Sequence, residues 1–236
     1  MGARICALAM ADRAFALVGA VDHASSPALG RPAGEGGPKI TSAQALGEPR
    51  PAARVVIDFS SEQGAQGALV IAQRFGAALV VGTTALGEQT LNMLKQAASK
   101  TAVLVSPNTS LGVAVAADLA KRAAGALGPE YECSIIEAHH SAKKDAPSGT
   151  ALRLAGAVGA AGREVRPDQI VSIRGGDVVG EHTVRFAGRG EYIEITHRAT
   201  SRDLFALGAL RAAAWIASRR PGWYSMEEVL AERSGG

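Results

Sequence analysis

Residues 137–150 read Glu-Ala-His-His-Ser-Ala-Lys-Lys-Asp-Ala-Pro-Ser-Gly-Thr, and this short segment holds the densest chemistry in the chain. His139 and His140 offer titratable imidazoles, and Lys143 and Lys144 add positive charge beside them. Directly afterwards, Ser148-Gly149-Thr150 opens an Ala/Leu-rich run that predicts a helix, with Ser148 as its N-cap and Pro147 just outside. A helix start carries unpaired N–H groups and the positive end of the dipole, so it suits a carboxylate or a phosphate. The combination points to an anionic small molecule held at a helix N-terminus beside a general acid.

Such groups need a scaffold, and the first half of the chain predicts one. Short apolar runs at Ala16–Asp22, Val55–Phe59, Ala78–Gly82 and Ala102–Ser106 read as buried strands of a parallel sheet. Helical patterns at Glu62–Phe75 and Glu88–Ser99 alternate with them, which predicts a doubly wound α/β domain. The Gly/Pro-rich stretch Ser25–Pro38 reads as a loop. After Asn108 the grammar changes. A helix at about Val113–Ala126 leads to a strand at Cys133–Glu137, then to the His/Lys segment and its helix. Strands follow at Ile170–Ile173, His182–Phe186 and Tyr192–His197, the last two joined by the turn Gly188-Arg189-Gly190. This second part reads as a smaller α+β domain with an open mixed sheet. A helix at Asp203–Ser218 and a short one capped by Ser225, with Glu228 three residues on, close the chain. The expected division is 1–108, completed by 201–236, and 109–200.

Composition narrows the function classes. The 236 residues are 47% hydrophobic, which excludes a disordered chain, and no apolar run is long enough to span a bilayer. A net charge of +3 with scattered arginines and 4% aromatics argues against a nucleic-acid partner. Cys6 and Cys133 match no metal or redox spacing and read as free thiols in a reducing cytoplasm. The N-terminus fits neither a myristoylation site, because Cys6 stands where Ser or Thr is needed, nor a signal peptide, because Asp12-Arg13 interrupt its apolar run. It reads instead as an amphipathic helix.

In open parallel sheets ligands bind at the C-terminal strand ends. Here those ends carry Asp22, Asp58-Phe59-Ser60, Gly82-Thr83-Thr84 and Ser106-Pro107-Asn108. An acid at the end of a strand such as Asp22 suits the ribose hydroxyls of a dinucleotide, and the four ends together point to a nicotinamide site. A dinucleotide fold also begins with a strand running into a G-x-G-x-x-G turn, and this chain contains no such pair.

The segment Glu137–Leu152 resembles the signature of the dihydrodipicolinate (4-hydroxy-tetrahydrodipicolinate) reductase family of lysine biosynthesis. Asp58-Phe-Ser, Val81-Gly-Thr-Thr84, Ser106-Pro-Asn-Thr-Ser-Leu-Gly-Val113, Val179-Gly-Glu-His182, Glu194-Ile-Thr-His197, Ser201-Arg202 and Pro221-Gly-Trp-Tyr224 fall in the family's order, so the resemblance covers the whole chain. It implies His139 as proton donor/acceptor and Lys143 as proton donor. It further implies His140, Gly149 and Thr150, with Ser148 beside them, as substrate-binding. Gly82, Thr83, Thr84, Ser106, Pro107, Asn108 and Thr109 match its nicotinamide-binding stretches, and Asp22 its ribose position. The implied reaction is NAD(P)H-dependent reduction of a cyclic, imine-type dicarboxylate, with domain closure about hinges near Asn108 and Ser201. His23 stands where members accepting the 2′-phosphate often carry Arg, and the carboxylate of Asp22 repels a phosphate. NADH is therefore expected ahead of NADPH. The family also implies a homotetramer assembled through the open sheet.

Met1-Gly2 fits the end of the family's glycine-rich turn, so the first strand and most of that turn are expected to be absent, through a start placed too far downstream, a truncated chain, or a gap that something else fills, the first being the expected one. A non-catalytic homologue that has lost its cofactor turn is the alternative; other nicotinamide dehydrogenases of the same plan lack the His-His-x-x-Lys and Ser-Gly-Thr pairing. A zinc site at His139, His140 and His182 has no supporting Cys or carboxylate spacing, so no metal is expected. Lys144, His182 and His197 read as active-site rim or as solvated surface. Glu137 reads as a strand residue with a hydrogen-bond role, and Trp215 and Trp223 as packing in the closing helices.

Overall fold

The structure, a computed structural model, describes residues 1–48 and 52–231. In chain order its elements are α1 (Gly2–Ala11), β1 (Ala20–Val21), β2 (Ile40–Thr41), β3 (Val55–Asp58), α2 (Glu62–Phe75), β4 (Ala78–Val81), α3 (Glu88–Ala97), β5 (Ala102–Val105), α4 (Leu111–Leu127), β6 (Glu132–His139), α5 (Gly149–Gly159), β7 (Ile170–Arg174), β8 (Gly180–Gly188), β9 (Glu191–Ala199), α6 (Asp203–Ile216), β10 (Gly222–Tyr224) and α7 (Met226–Ala231). The chain divides into two compact units: Met1–Thr109 with Phe205–Gly236, and Ser110–Leu204.

In the first unit β10, β5, β4 and β3 form a parallel sheet in that order. The central β4 is apolar and buried at every position, as a strand covered on both faces must be. The helix α2 shows how the sequence specifies its ends. Ser61 accepts a bond from Gly64 N at 3.1 Å at the start, and Gly76 closes the end at φ 60°, where a side chain would be strained. Its stripe Ala65, Ala68, Leu69 and Ala72 packs against Leu79 and Val81 of β4. The helix α1 buries Ile5 and Ala9 against Ala206, Ala209 and Leu210 of α6, the amphipathic reading of the N-terminus.

Two strand readings change. The strand expected at 16–22 shrinks to β1, which pairs only with β2 in a separate two-stranded parallel sheet. Among the described residues no strand runs along the other edge of β1 or of β3, so residues 16–19 have no ladder to join, and β3 stays half-buried beside the fully buried β4. Conversely Gly222–Tyr224 forms a strand beside β5; Trp223 lies on it, 40% exposed, rather than packing in a helix. Trp215 does pack, edge-on to Tyr224. Ser225 and Glu228 make the reciprocal bonds of a capping box ahead of α7.

The second unit is a mixed sheet ordered β7-β6-β8-β9, with β6 parallel to β7 and antiparallel to β8. Along β6 the odd positions Cys133, Ile135, Glu137 and His139 are buried on one face, under Ala116, Ala120, Ala124, Leu154 and Val158 of α4 and α5. The other face is open and exposes Val171, Ile173 and Tyr192. Helices on one face only explain the alternation in these strands and its absence in β4.

Candidate active site

The strand register places the polar residues of the covered face at one end of the second sheet. Glu137 on β6 lies between Ser172 on β7 and His182 on β8, and His182 faces His197 on β9. One step further along, His139 lies beside Arg174. These are the buried polar groups of a face that is otherwise apolar. Glu137 is fully buried, which demands partners. Its Oε1 accepts from Arg174 Nη2 at 2.8 Å and its Oε2 takes a very short bond from His139 Nδ1. The same Nη2 of Arg174 reaches the carbonyl of Asp145 at 2.6 Å, and the Asp145 carboxylate pairs with Lys143 Nζ at 2.8 Å.

The helix start of α5 joins this cluster. Ser148 Oγ accepts from Ala151 N at 3.2 Å as N-cap and lies within hydrogen-bond distance, 3.1 Å, of His182 Nε2. Gly149 and Thr150 begin the first turn, and a side chain at Gly149 would meet open space. First-turn N–H groups stand outside the helix ladder, so the seat for an anion expected from sequence lies next to the histidines. The turn between β6 and α5 is pinned by Gly175 N to the His139 carbonyl and Ser141 N to the Gly176 carbonyl.

Electrostatics assign the protonation states. Burial pushes Glu137 up, but the bonds from Arg174 and Ser172 and the imidazole of His139 outweigh it and leave the carboxyl below its ordinary range. Burial pushes His139 down and outweighs the pull of Glu137. His182, buried and beside His139, is pushed down to about 4. Its ring stands edge-on to that of His139 with centroids 5.0 Å apart. His182 is thus neither solvated surface nor exposed rim. His197, half-buried, lies 3.4 Å from Ser110 Oγ at the start of α4 and is pushed down by burial. Among the described residues Glu137, His139 and His182 form the one group with metal-ligand geometry, but both oxygens of Glu137 and Nε2 of His182 are already engaged by protein partners. We read it as a hydrogen-bond network. His140 is half-buried after the last residue of β6 and is not part of that group; Lys144 is exposed.

In the first unit the residues at the ends of β3 and β4 bond to one another, while Asp22 follows the separate β1. Thr83 is buried: its Oγ1 donates to Asp58 Oδ2 at 2.5 Å and accepts from Ser60 N at 2.9 Å. Ser60 Oγ makes a very short bond to the other oxygen of Asp58. Gly82 has the Phe59 ring across it, where a Cβ would come within 2.1 Å of Cζ. Thr84 is exposed. Ser106 Oγ donates to the Asn108 carbonyl at 2.7 Å, folding the Ser106-Pro107-Asn108 turn, and Thr109 is fully buried with its hydroxyl on the Phe205 carbonyl. Asp22 is exposed after β1, where Ser26 Oγ and His23 N hold its two oxygens at 2.7 and 2.8 Å. Those bonds pull its carboxyl down, the one from Ser26 foremost.

This arrangement can be set beside known proteins. Residues 1–109 match the family model described as dihydrodipicolinate reductase, N-terminus, and residues 112–230 match its C-terminus. The chain belongs to the dihydrodipicolinate reductase family. It is 43% identical over 257 aligned positions to a 4-hydroxy-tetrahydrodipicolinate reductase of Anaeromyxobacter dehalogenans (strain 2CP-C), covering 100% of this chain and 95% of that protein. A reductase of the same name from Alkalilimnicola ehrlichii is 45% identical, covering 91% of this chain and 88% of the other. In fold the chain is similar to the dipicolinate-bound dihydrodipicolinate reductase of Paenisporosarcina sp. TG-14, with TM-score 0.76, 20% identity and 96% and 94% coverage. The amine dehydrogenase of Mycobacterium smegmatis shares the fold more loosely, at TM-score 0.57 and 13% identity.

Sequence reasoning missed Arg174 and Asp145, gave Glu137 a hydrogen-bond role only, and left His182 between active-site rim and solvated surface. Their pattern in the sequence was the alternation of polar residues within apolar strands: Glu137 and His139, Ser172 and Arg174, His182. Which of these face one another depends on strand register, and the sequence does not carry it.

Proposed function

We propose that this chain reduces 4-hydroxy-tetrahydrodipicolinate to tetrahydrodipicolinate with NADH or NADPH, in the diaminopimelate route to lysine. One observation carries the reading: a buried histidine–carboxylate pair, a lysine and a capped helix start converge at one corner of the second sheet. The full-length family match supports it.

The roles follow from the groups. One substrate carboxylate sits on the N–H groups of Gly149 and Thr150, with Ser148 and His140 beside it. Lys143, held by Asp145, gives a proton as the ring is reduced, and its charge stabilises the electron density that develops there. His139 exchanges a proton at Nε2, the nitrogen turned away from Glu137. One hydride and one proton enter, and the ring hydroxyl leaves as water. When bound, reduced nicotinamide supplies the hydride. The residues that would hold it are Gly82, Thr83, Thr84, Ser106, Pro107, Asn108 and Thr109 at the ends of β4 and β5, and Asp22. The exposed carboxylate of Asp22 suits it chemically, because it retains lone pairs for ribose hydroxyls. The same charge repels a 2′-phosphate, which favours NADH over NADPH. No metal takes part in this scheme.

The open face of β7-β6-β8-β9, with Val171, Ile173 and Tyr192 exposed, supports assembly as a homotetramer. Among the described residues no helix is long and apolar enough to cross a membrane. The thiols of Cys6 and Cys133 are free, in keeping with work in the cytoplasm. The test is oxidation of NADH and NADPH while the preceding synthase makes the substrate in place from pyruvate and aspartate semialdehyde. Substrate-dependent oxidation by the folded chain is the expected result. The two-piece parallel sheet favours one rival reading, a non-catalytic homologue; a folded chain that oxidises neither cofactor, and whose melting neither shifts, would establish it.

A further inference from the structure

We propose that Glu137 is a positioning residue: its carboxylate fixes His139 as the Nδ1–H tautomer, and Arg174 splints that carboxylate to the turn carrying Lys143. The inference rests on the reading of His139 as the proton-exchanging group.

The argument starts from donors and acceptors. An ionised carboxylate only accepts hydrogen bonds, and an arginine only donates them. With Oε1 of Glu137 taken by Arg174, Oε2 must accept from His139, so Nδ1 carries the hydrogen and Nε2 keeps its lone pair. Opposite that nitrogen stands Gly180, where a Cβ would lie 3.1 Å from Nε2, so the absence of a side chain keeps that side clear. The line then continues. Arg174 Nη2 also binds the Asp145 carbonyl, and Asp145 pairs with Lys143. One chain of bonds, His139–Glu137–Arg174–Asp145–Lys143, thus ties together two proton-bearing side chains from different segments. His182 completes the setting: neutral near pH 7, it adds no positive charge beside His139 when that ring takes a proton.

The test exploits an asymmetry. In Glu137→Gln the amide oxygen must still serve Arg174, which turns the amide NH₂ toward His139. The ring is then forced to accept at Nδ1 and to carry its hydrogen on Nε2. Nitrogen-15 NMR of labelled histidines, with His139→Ala identifying the His139 signals, should show the Nδ1–H tautomer in the native chain and the Nε2–H tautomer in Glu137→Gln. In the reductase assay kcat should fall on the order of 10²–10⁴-fold while KM moves less than about threefold. Glu137→Asp, which keeps the acceptor, should hold the Nδ1–H tautomer and recover part of the rate. Arg174→Lys covers the case in which Glu137→Gln does not fold: the tautomer is kept, but kcat drops about tenfold because a freely rotating ammonium on a flexible stem does not hold the two acceptors in the fixed plane that the guanidinium gives Nη2. An unchanged tautomer in Glu137→Gln, or an unchanged kcat in Arg174→Lys, would overturn the proposal. If His139→Ala alone leaves kcat intact, it is the role given to His139 that fails, and the tautomer measurement still decides what Glu137 does.

Discussion

The two sheets of this chain put polar residues at their ends in opposite ways. At the end of β6 the side chains themselves form the proposed chemical apparatus: Glu137 bonds His139 and Arg174, and His182 bonds Ser148 and stands edge-on to His139, with His139 Nε2 and the start of α5 proposed to face the ligand. At the ends of β3 and β4 the side chains are spent inward. Asp58, Ser60 and Thr83 close on themselves and, after β5, Thr109 reaches the α6 backbone, so that the main chain and the exposed Thr84 remain for a ligand. A site built for proton transfer needs titratable groups in a water-poor setting; a site that cradles a long cofactor needs a fixed backbone shape. Substitutions should therefore separate rate from fold and cofactor affinity.

The largest effect is expected in the second sheet. Lys143→Ala and His139→Ala should each lower kcat on the order of 10²–10⁴-fold with little change in the KM for NADH, read from steady-state kinetics. A comparable rise in that KM would break the comparison. Next comes a pH effect. Because the folded value of His182, about 4, lies below its ordinary 6.5, the unfolded chain takes up the proton first as pH falls. Stability should be level in this respect above 6.5 and drop by roughly 3 kcal/mol between 6.5 and 4. Urea midpoints at about pH 7 and about pH 4.5 should converge in His182→Asn relative to the native chain.

In the first unit, Asp58→Ala strands the hydroxyls of Ser60 and Thr83 and should cost about 1–3 kcal/mol of stability. It should also raise the KM for NADH while kcat at saturation changes less, which sharpens the contrast if both are measured on one preparation. The smallest effect is at exposed Asp22. Asp22→Asn should shift the ratio of kcat/KM values toward NADPH by about fivefold, the size of one surface charge pair in water. A preference that does not move would remove Asp22 from the ribose site.

How much of this was legible in the sequence differs between the same two regions. Helix α2 was readable end to end because Ser61, Gly76 and the Ala/Leu stripe state its limits. The strand ends of the first sheet were readable from apolar runs stopping at polar residues. Whether Thr83 and Thr109 turn outward or inward was not, because either side of a strand end tolerates a threonine. β1 and β10 were misjudged for a related reason: a strand's length follows from the partner beside it. In the second unit the segment 137–150 announced its chemistry, since the proton donors and the helix cap lie side by side in the chain. Arg174 and His182 come from strands about 35 and 45 positions from Glu137 and His139, and meet them only through the register of β6 with β7 and β8.

The most direct test of the central claim, that this corner of the second sheet holds a cyclic dicarboxylate, is an NMR titration of the labelled chain with dipicolinate. The account expects saturable shifts at the His139 and His140 rings and at the Gly149 and Thr150 amides, all following one dissociation constant. Saturable binding that moves signals elsewhere and leaves these unmoved, or no binding by a folded chain, would contradict it.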